Sequence, residues 1–338
     1  MSLGSFVIKK IIPLIVLLLG AKKGTWKEEK YSTAILSMIM IPFKRLKGIR
    51  RNPRFVENQY DEISGLYIKD NYYSSTMRYS VVNGEVKNIS SIDNMREIRS
   101  EIRTILSELK FQSVLEVGVG ELTTIEDIYK SFGPDLDCYG IDLSLNRIKH
   151  GLDEYKNRHD KLPTVAKANA LSLPFADNSF DLVITRHTLE QMPKIYKEAL
   201  SEIFRVSRNH VVLFEPSFEM GSFAQKLKML NTDYVRGIPK FLSSHNNMKV
   251  EKEYLMKNSA NPLNHTACFR ISILNQENKI NSNSAIPFVC PISKSKLEDK
   301  VTYLYSKDSK RAYPVIEGIP VLDSEYSLVV SESLDLSK

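Results

Sequence analysis

The stretch SVLEVGVGEL, Ser113 to Leu122, joins a short aliphatic run to two glycines spaced by one residue, the composition of a strand that ends in a tight turn. On its N-terminal side Ile98, Ile102, Ile105, Leu106 and Leu109 recur at helical spacing and predict a helix with one buried face. On its C-terminal side the alternation continues. A helix is expected near Thr123–Phe132, a strand at Cys138–Ile141 and a helix from Ser144 to about Asn157. Strands at Thr164–Ala168 and Phe180–Thr185, a helix at Ile195–Val206 and a strand at His210–Phe214 follow. Strands alternating with helical crossovers predict an α/β fold with a doubly wound, mostly parallel sheet and helices on both faces. Ligands of such sheets bind beyond the carboxyl ends of the strands. That rule selects Glu116, Gly118 and Gly120 after the first strand, Asp142 and Leu143 after the second, and Asn169 and Ala170 after the third. Arg186 and His187 follow the fourth strand, and Glu215 the fifth.

Taken in order, VLEVGVGELTT, YGIDLS, ANALSLPFADNSFDLVITRHTLEQM and VVLFEP resemble the motifs of the class I S-adenosylmethionine-dependent methyltransferases. The resemblance covers about Asn94 to Phe214 and implies a Rossmann-like domain over residues 93–280 with S-adenosyl-L-methionine as cofactor. It implies that Glu116 meets the cofactor's amino group, that Asp142 accepts the ribose hydroxyls, and that Leu143, Asn169, Ala170 and Arg186 complete the cofactor site. Gly118 and Gly120 let the backbone approach without a Cβ in the way. A nicotinamide or flavin fold is disfavoured, because position 123 is Thr and Glu121 would repel a diphosphate at the helix N-terminus. Two positions depart from the family pattern: its third glycine is Leu122, and a familiar histidine is Gln191.

Methyl transfer chiefly needs donor and acceptor held in line with water excluded, and a hydroxyl acceptor gains from a general base. His187 is the first candidate base, with Glu215 and His265 behind it; a structural role for each is the commoner alternative. Residues 217–259 are expected to shape the acceptor pocket, and Ala260–Thr266 resembles a hairpin near the substrate side. The leading expectation is O-methylation of a sugar, glycan precursor or other small metabolite. C-methylation of a lipid or quinone, methylation of RNA or protein, and a non-catalytic cofactor-binding module are the alternatives.

Charge is unevenly placed. Twelve Lys/Arg against two acids put residues 1–54 at +10, so the chain's +7 leaves the remainder at −3. An active domain without excess positive charge argues against a nucleic-acid substrate. Ile11–Ala21 and Thr33–Phe43 are apolar runs flanked by cations and shorter than the roughly 20 residues a spanning helix needs. They read equally as core helices or as a membrane-surface attachment, and the latter implies a cytoplasmic protein peripheral on a membrane. Residues 55–92 are polar and Tyr-rich and read as a lid or a connector.

Residues 281–286 read as a linker. From 287 to 326 the chain resembles the small β domain typified by the activating subunit of tRNA and translation-factor methyltransferases, through Cys290-Pro291, Leu297 and Ala312–Val321. Zinc-binding relatives carry a second Cys three residues after the first. Ser293 stands there, so no metal is expected. The three cysteines are far apart, consistent with reduced thiols.

Overall fold

The computed structural model describes residues 53–69, 73–274 and 285–330. Helix α1 (Pro53–Glu62) and the single turn α2 (Leu66–Ile68) are followed by a hairpin of β1 (Met77–Val82) and β2 (Glu85–Ser90). At the hairpin tip Asn83 and Gly84 have φ of 52° and 80°, the conformation a two-residue turn needs to match the strand twist. The stretch read as a lid or connector thus carries regular structure. Residues 1–52, with the proposed surface attachment, and 281–284 of the expected linker lie outside the described residues. Among the described residues no helix is long and apolar enough to cross a membrane.

Helix α3 (Ser91–Ser107) leads into β3 (Ser113–Val117), α4 (Thr123–Phe132), β4 (Asp137–Asp142), α5 (Leu145–Lys156) and β5 (Thr164–Ala168). Then come β6 (Phe180–Arg186), α6 (Tyr196–Val206), β7 (Ser207–Pro216), α7 (Phe223–Thr232), α8 (Ile238–Ser243), β8 (Met248–Leu255) and β9 (Thr266–Ile273). In space the strands run β5-β4-β3-β6-β7-β9-β8, parallel except for β9, which is antiparallel to both neighbours. The chain leaves β3 in one direction and returns to its other side at β6, so the switch point lies at β3. Side chains alternate between two cores: Leu182, Ile184, Val212 and Phe214 face α3, α4 and α5, whereas Val183, Val211 and Leu213 face α6. Burial on both faces explains the unbroken aliphatic runs.

Residues 169–179, between β5 and β6, hold no helix, although parallel crossovers usually cover their face with one. The C-terminal strands take that place: β10 (Glu298–Asp299), β11 (Tyr303–Ser306), β12 (Arg311–Ile316) and β13 (Ile319–Leu322), with β14 (Leu328–Val329) beside β12. Strand β13 pairs in parallel with β5, Val321 opposite Lys167 and Leu322 opposite Ala168. Phe288 packs on Phe175 with ring centroids 5.3 Å apart, and Cys290, Leu297, Tyr313 and Leu322 share a core with Leu115 and Leu200. The expected small β domain is therefore a continuation of the catalytic sheet and core. At the sequence position of a zinc knuckle, the Cys290 sulfur lies 3.3 Å from both Ser309 Oγ and Tyr313 Oη. Burial opposes the thiolate, but hydrogen bonds from Ser293, Ser309 and Tyr313 outweigh it and bring the thiol down to about 6.

A shared core has a thermodynamic signature. Leu322 is fully buried, so Leu322→Ala should cost about 2–5 kcal/mol and lower a single unfolding transition in scanning calorimetry by about 3–8 °C. Two transitions, with only the smaller one moved, would show an independent C-terminal domain.

Candidate active site

A cavity of about 390 Å³ opens beyond the carboxyl ends of β3, β4 and β6, and Glu116, Gly118, Asp142, Leu143, Ala170, Arg186 and His187 line it. Glu116 is the penultimate residue of β3 and has 2 % of its surface exposed. Thr124 and the Ile125 N–H bond to its carboxyl, yet Oε2 is buried without a partner. Burial pushes this carboxyl up to about 8, against the pull of the neighbouring Arg186. A buried oxygen lacking a donor is costly, and a cationic donor entering the cavity would satisfy it.

The glycine corner follows from close approach. At Gly118 (φ 80°) a Cβ would lie 2.2 Å from Thr188 Oγ1, and at Gly120 (φ 52°) one would lie 2.3 Å from the Arg147 guanidinium. Leu122 keeps the left-handed backbone that glycine adopts freely, with φ 62°. The strain, roughly 1–2 kcal/mol, is offset by its side chain, which is 1 % exposed and sits in the core shared with α4 and α5. Replacing glycine here leaves the turn intact. Asp142 is oriented by two backbone donors: Gly120 N–H to Oδ2 and Ser144 N–H to Oδ1, both 2.8 Å. Each oxygen keeps a lone pair for another hydroxyl. Asn169 turns its amide oxygen back onto the Leu171 N–H at 3.0 Å and is not among the cavity-lining residues.

Residues 53–69 lie across this corner. Glu121, which sequence alone marked only as hostile to diphosphate, accepts the Gly65 N–H at 2.9 Å and the Ile68 N–H at 2.7 Å. Arg147 sits 4.8 Å from the ring centroid of Tyr60 and 4.7 Å from that of Tyr67, close enough for cation–π attraction. Burial raises both phenols, so they remain protonated at neutral pH. Arg147 was missed, although a cation in the first turn of α5 opposes the helix dipole and signals acidic partners beyond the helix; these are Glu121 and Asp142, each 3.9 Å away.

The three candidate bases are placed differently. His187 lines the cavity, but Nδ1 bonds Glu190 Oε2 (3.0 Å) and Nε2 bonds Thr266 Oγ1 (2.9 Å). Burial works against its imidazolium, yet the charge and hydrogen bond of Glu190, with Glu215, outweigh it and raise the His187 pKa. With Glu190 on one nitrogen and Thr266 on the other, the ring presents neither nitrogen unbonded to the cavity. Glu215 is fully buried and accepts the Thr188, Leu189 and Glu190 N–H groups at 2.9, 3.1 and 3.2 Å; it builds the 188–190 turn and does not line the cavity. His265 bonds the Met256 carbonyl at 2.6 Å and is likewise outside the lining. On the His187 side of the cavity the lining carboxyl is Glu190. It accepts from His187, from Asn264 Nδ2 (2.9 Å) and from Gln191 Nε2 (3.0 Å). Gln191, standing where a familiar histidine is absent, thus fixes the neighbouring acid. Among the described residues no group of His, Cys, Asp or Glu is arranged to hold a metal ion.

Residues 115–214 match the family described as methyltransferase domain. A demethylmenaquinone methyltransferase of Anoxybacillus flavithermus is 34 % identical over 110 residues, covering 32 % of this chain and 46 % of the relative. One of Listeria welshimeri is 32 % identical over 108 residues, covering 32 % and 45 %. The chain thus spans about half the length of the curated relatives it matches. Among solved structures, the [4+2]-cyclase SpnF superposes with a TM-score of 0.50 at 12 % identity over 66 % of this chain and 97 % of that one. A magnesium protoporphyrin IX methyltransferase from Synechocystis with bound S-adenosylmethionine is 12 % identical, with a TM-score of 0.45 and 67 % and 98 % coverage. Fold, glycine corner and family match identify a class I methyltransferase domain whose cofactor is S-adenosylmethionine.

The Glu116 carboxyl links cofactor binding to pH. Free protein holds a proton there below about 8, whereas an ammonium opposite Oε2 favours the carboxylate. Binding of S-adenosylhomocysteine should therefore release a proton, and its affinity should rise between pH 6 and 8. Calorimetry in buffers of different ionisation enthalpy reads the release directly. Glu116→Gln should abolish it and weaken binding; a variant that keeps both the affinity and the proton release would place the ammonium elsewhere.

Proposed function

We propose that the protein transfers a methyl group from S-adenosylmethionine to the ring of a small hydroxylated aromatic acceptor of the quinol type. Glu116 receives the cofactor's ammonium, Asp142 its ribose hydroxyls, and Leu143 and Ala170 flank the adenine. The observation that carries the acceptor reading is the Glu190 carboxylate, held by three donors on a cavity wall shared with Tyr60, Tyr67 and Tyr234. Aromatic walls suit a flat ring, and a fixed carboxylate suits an acidic ring hydroxyl. The demethylmenaquinone methyltransferase relatives support the same acceptor class. A sugar or glycan hydroxyl, the leading expectation from sequence, has no comparable support.

The cofactor supplies an electrophilic methyl group on its sulfonium. Glu190 takes the proton of the ring hydroxyl, which raises electron density on the adjacent ring carbon. That carbon would form the new C–C bond as the sulfonium C–S bond breaks, its own hydrogen would leave as a proton to water once the site opens, and Glu190 would return its proton to the ring oxygen. His187, bonded to Glu190 through Nδ1 and to Thr266 through Nε2, fixes the direction of the Glu190 carboxyl. Tyr60 and Tyr67 cover the site and exclude water. An acceptor dissolved in lipid would also give the basic, apolar residues 1–54 a use as a membrane-surface attachment.

Glu190→Gln should lower methyl transfer by about 10²–10⁴-fold while leaving S-adenosylhomocysteine affinity within about twofold of wild type. With methyl-labelled cofactor, a short-chain demethylmenaquinol should acquire label and its oxidised form should not. Label entering a glycan pool with the quinol untouched would sink this reading. For the attachment, full-length protein should float with anionic vesicles less well as salt rises, and protein starting at Phe55 should stay behind.

A further inference from the structure

Lys167 lies in β5, the strand that carries the C-terminal module on its edge, and is 3 % exposed. A buried ammonium is expensive unless each of its donors is used. Here Nζ donates to Glu57 Oε1 on α1 at 2.5 Å and to the Leu143 carbonyl, and it lies 4.4 Å from the ring centroid of Tyr326. Tyr326 belongs to the C-terminal module and donates its hydroxyl to the same Glu57 oxygen at 2.8 Å. One ammonium thus joins three parts of the chain that sequence separates widely: the covering helix α1, the corner after β4, and the C-terminal module.

Two of these contacts, Glu57 and Leu143, line the cavity. Leu143 lines it and lies between Asp142 and Ser144. The Ser144 hydroxyl in turn donates to Asp61 of α1, so the corner and the covering helix are tied twice. Glu57 is the one buried residue of α1, 8 % exposed, so its pairing with Lys167 is an anchor of that helix set inside the protein. An apolar side chain would fill the same space in β5 without the cost of desolvating a charge. What the ammonium adds is direction.

We propose that Lys167 is a positioning residue for the cofactor: it sets the Asp142–Leu143 corner and holds α1 over it, and Tyr326 makes the docking of the C-terminal module part of the same arrangement. The module would then act on cofactor affinity from outside the cavity.

The test uses the full chain and calorimetric titration with S-adenosylhomocysteine, alongside hydrogen exchange of the cofactor-free protein. Lys167→Met should weaken binding about tenfold, the loss expected for one hydrogen bond to a charged group. Lys167→Arg should recover part of this. Tyr326→Phe should weaken binding about threefold without lowering the melting temperature by more than about 2 °C. Amides of residues 56–68 should exchange faster in Lys167→Met and Tyr326→Phe, a change that a purely space-filling role would not produce. Folded Lys167→Met that binds with wild-type affinity overturns the proposal. If Lys167→Met does not fold, Tyr326→Phe and Glu57→Gln decide: wild-type affinity in both overturns it, and weakened affinity at unchanged melting temperature supports it.

Discussion

A parallel sheet buried on both faces needs something over every crossover, and the connection from β5 to β6 has no helix to offer. Phe175 and its neighbours would otherwise face water, and the open edge of β5 would expose unpaired backbone groups. The C-terminal strands answer both demands at once, β13 by pairing with the edge and Phe288, Leu297 and Tyr313 by covering the face. Once the module is there, a lysine in β5 can be buried under Tyr326, and through that lysine α1 is held over the cofactor corner. Core packing and cofactor geometry therefore rest on one omission in the crossover.

The corner itself is organised by charge. Glu116, Glu121 and Asp142 converge on a space bounded by Arg147 and Arg186. Asp142 and Glu121 spend oxygens on backbone N–H groups, while Glu116 leaves one unspent. This inequality leaves one buried carboxyl oxygen in want of a donor at one point of the cavity and oriented carboxylate lone pairs at another. Residues 53–69 cover it with few fully buried apolar side chains, through carboxylate–amide bonds and an arginine between two tyrosines. Cover attached in this way opens more readily than a packed core element, which suits a cofactor that must enter and leave. Likeness to a [4+2]-cyclase extends to the fold alone, and such a framework leaves the chemistry to the groups on its cavity wall.

The sheet was largely legible in the sequence. Ser113–Val117 and Thr164–Ala168 are readable to the residue, because double-sided burial favours short apolar-rich runs bounded by turn residues, even with Glu116 or Lys167 inside them. Strand β7 begins earlier than the apolar pattern suggests, since Ser207 pairs with Phe180 through its backbone. The hairpin at Asn83-Gly84 carried a readable signal, the two-residue turn itself, obscured by polar strands of which one face lies in solvent. For the site, position relative to strand ends located Glu116, Asp142 and Arg186 but did not tell lining from scaffolding. His187, Glu215 and His265 share the chemistry of a base; sequence alone does not tell which of their atoms are already bonded, as His187 is to Thr266 79 residues away. Glu57 and Lys167 were illegible for the same reason, because their meaning lies in a pairing across 110 residues.

Pairing of β13 with β5 also has a consequence for biosynthesis. Every strand from β3 to β9 leaves the ribosome before Leu322 does, so the nascent sheet must wait with one edge and part of one face uncovered. A growing chain in that state is a substrate for chaperones and a template for intermolecular pairing. Soluble yield in cells should thus depend on how quickly the final strands follow, and a rare-codon pause between Ile273 and Ile319 would harm the protein more than an equal pause placed within the catalytic domain.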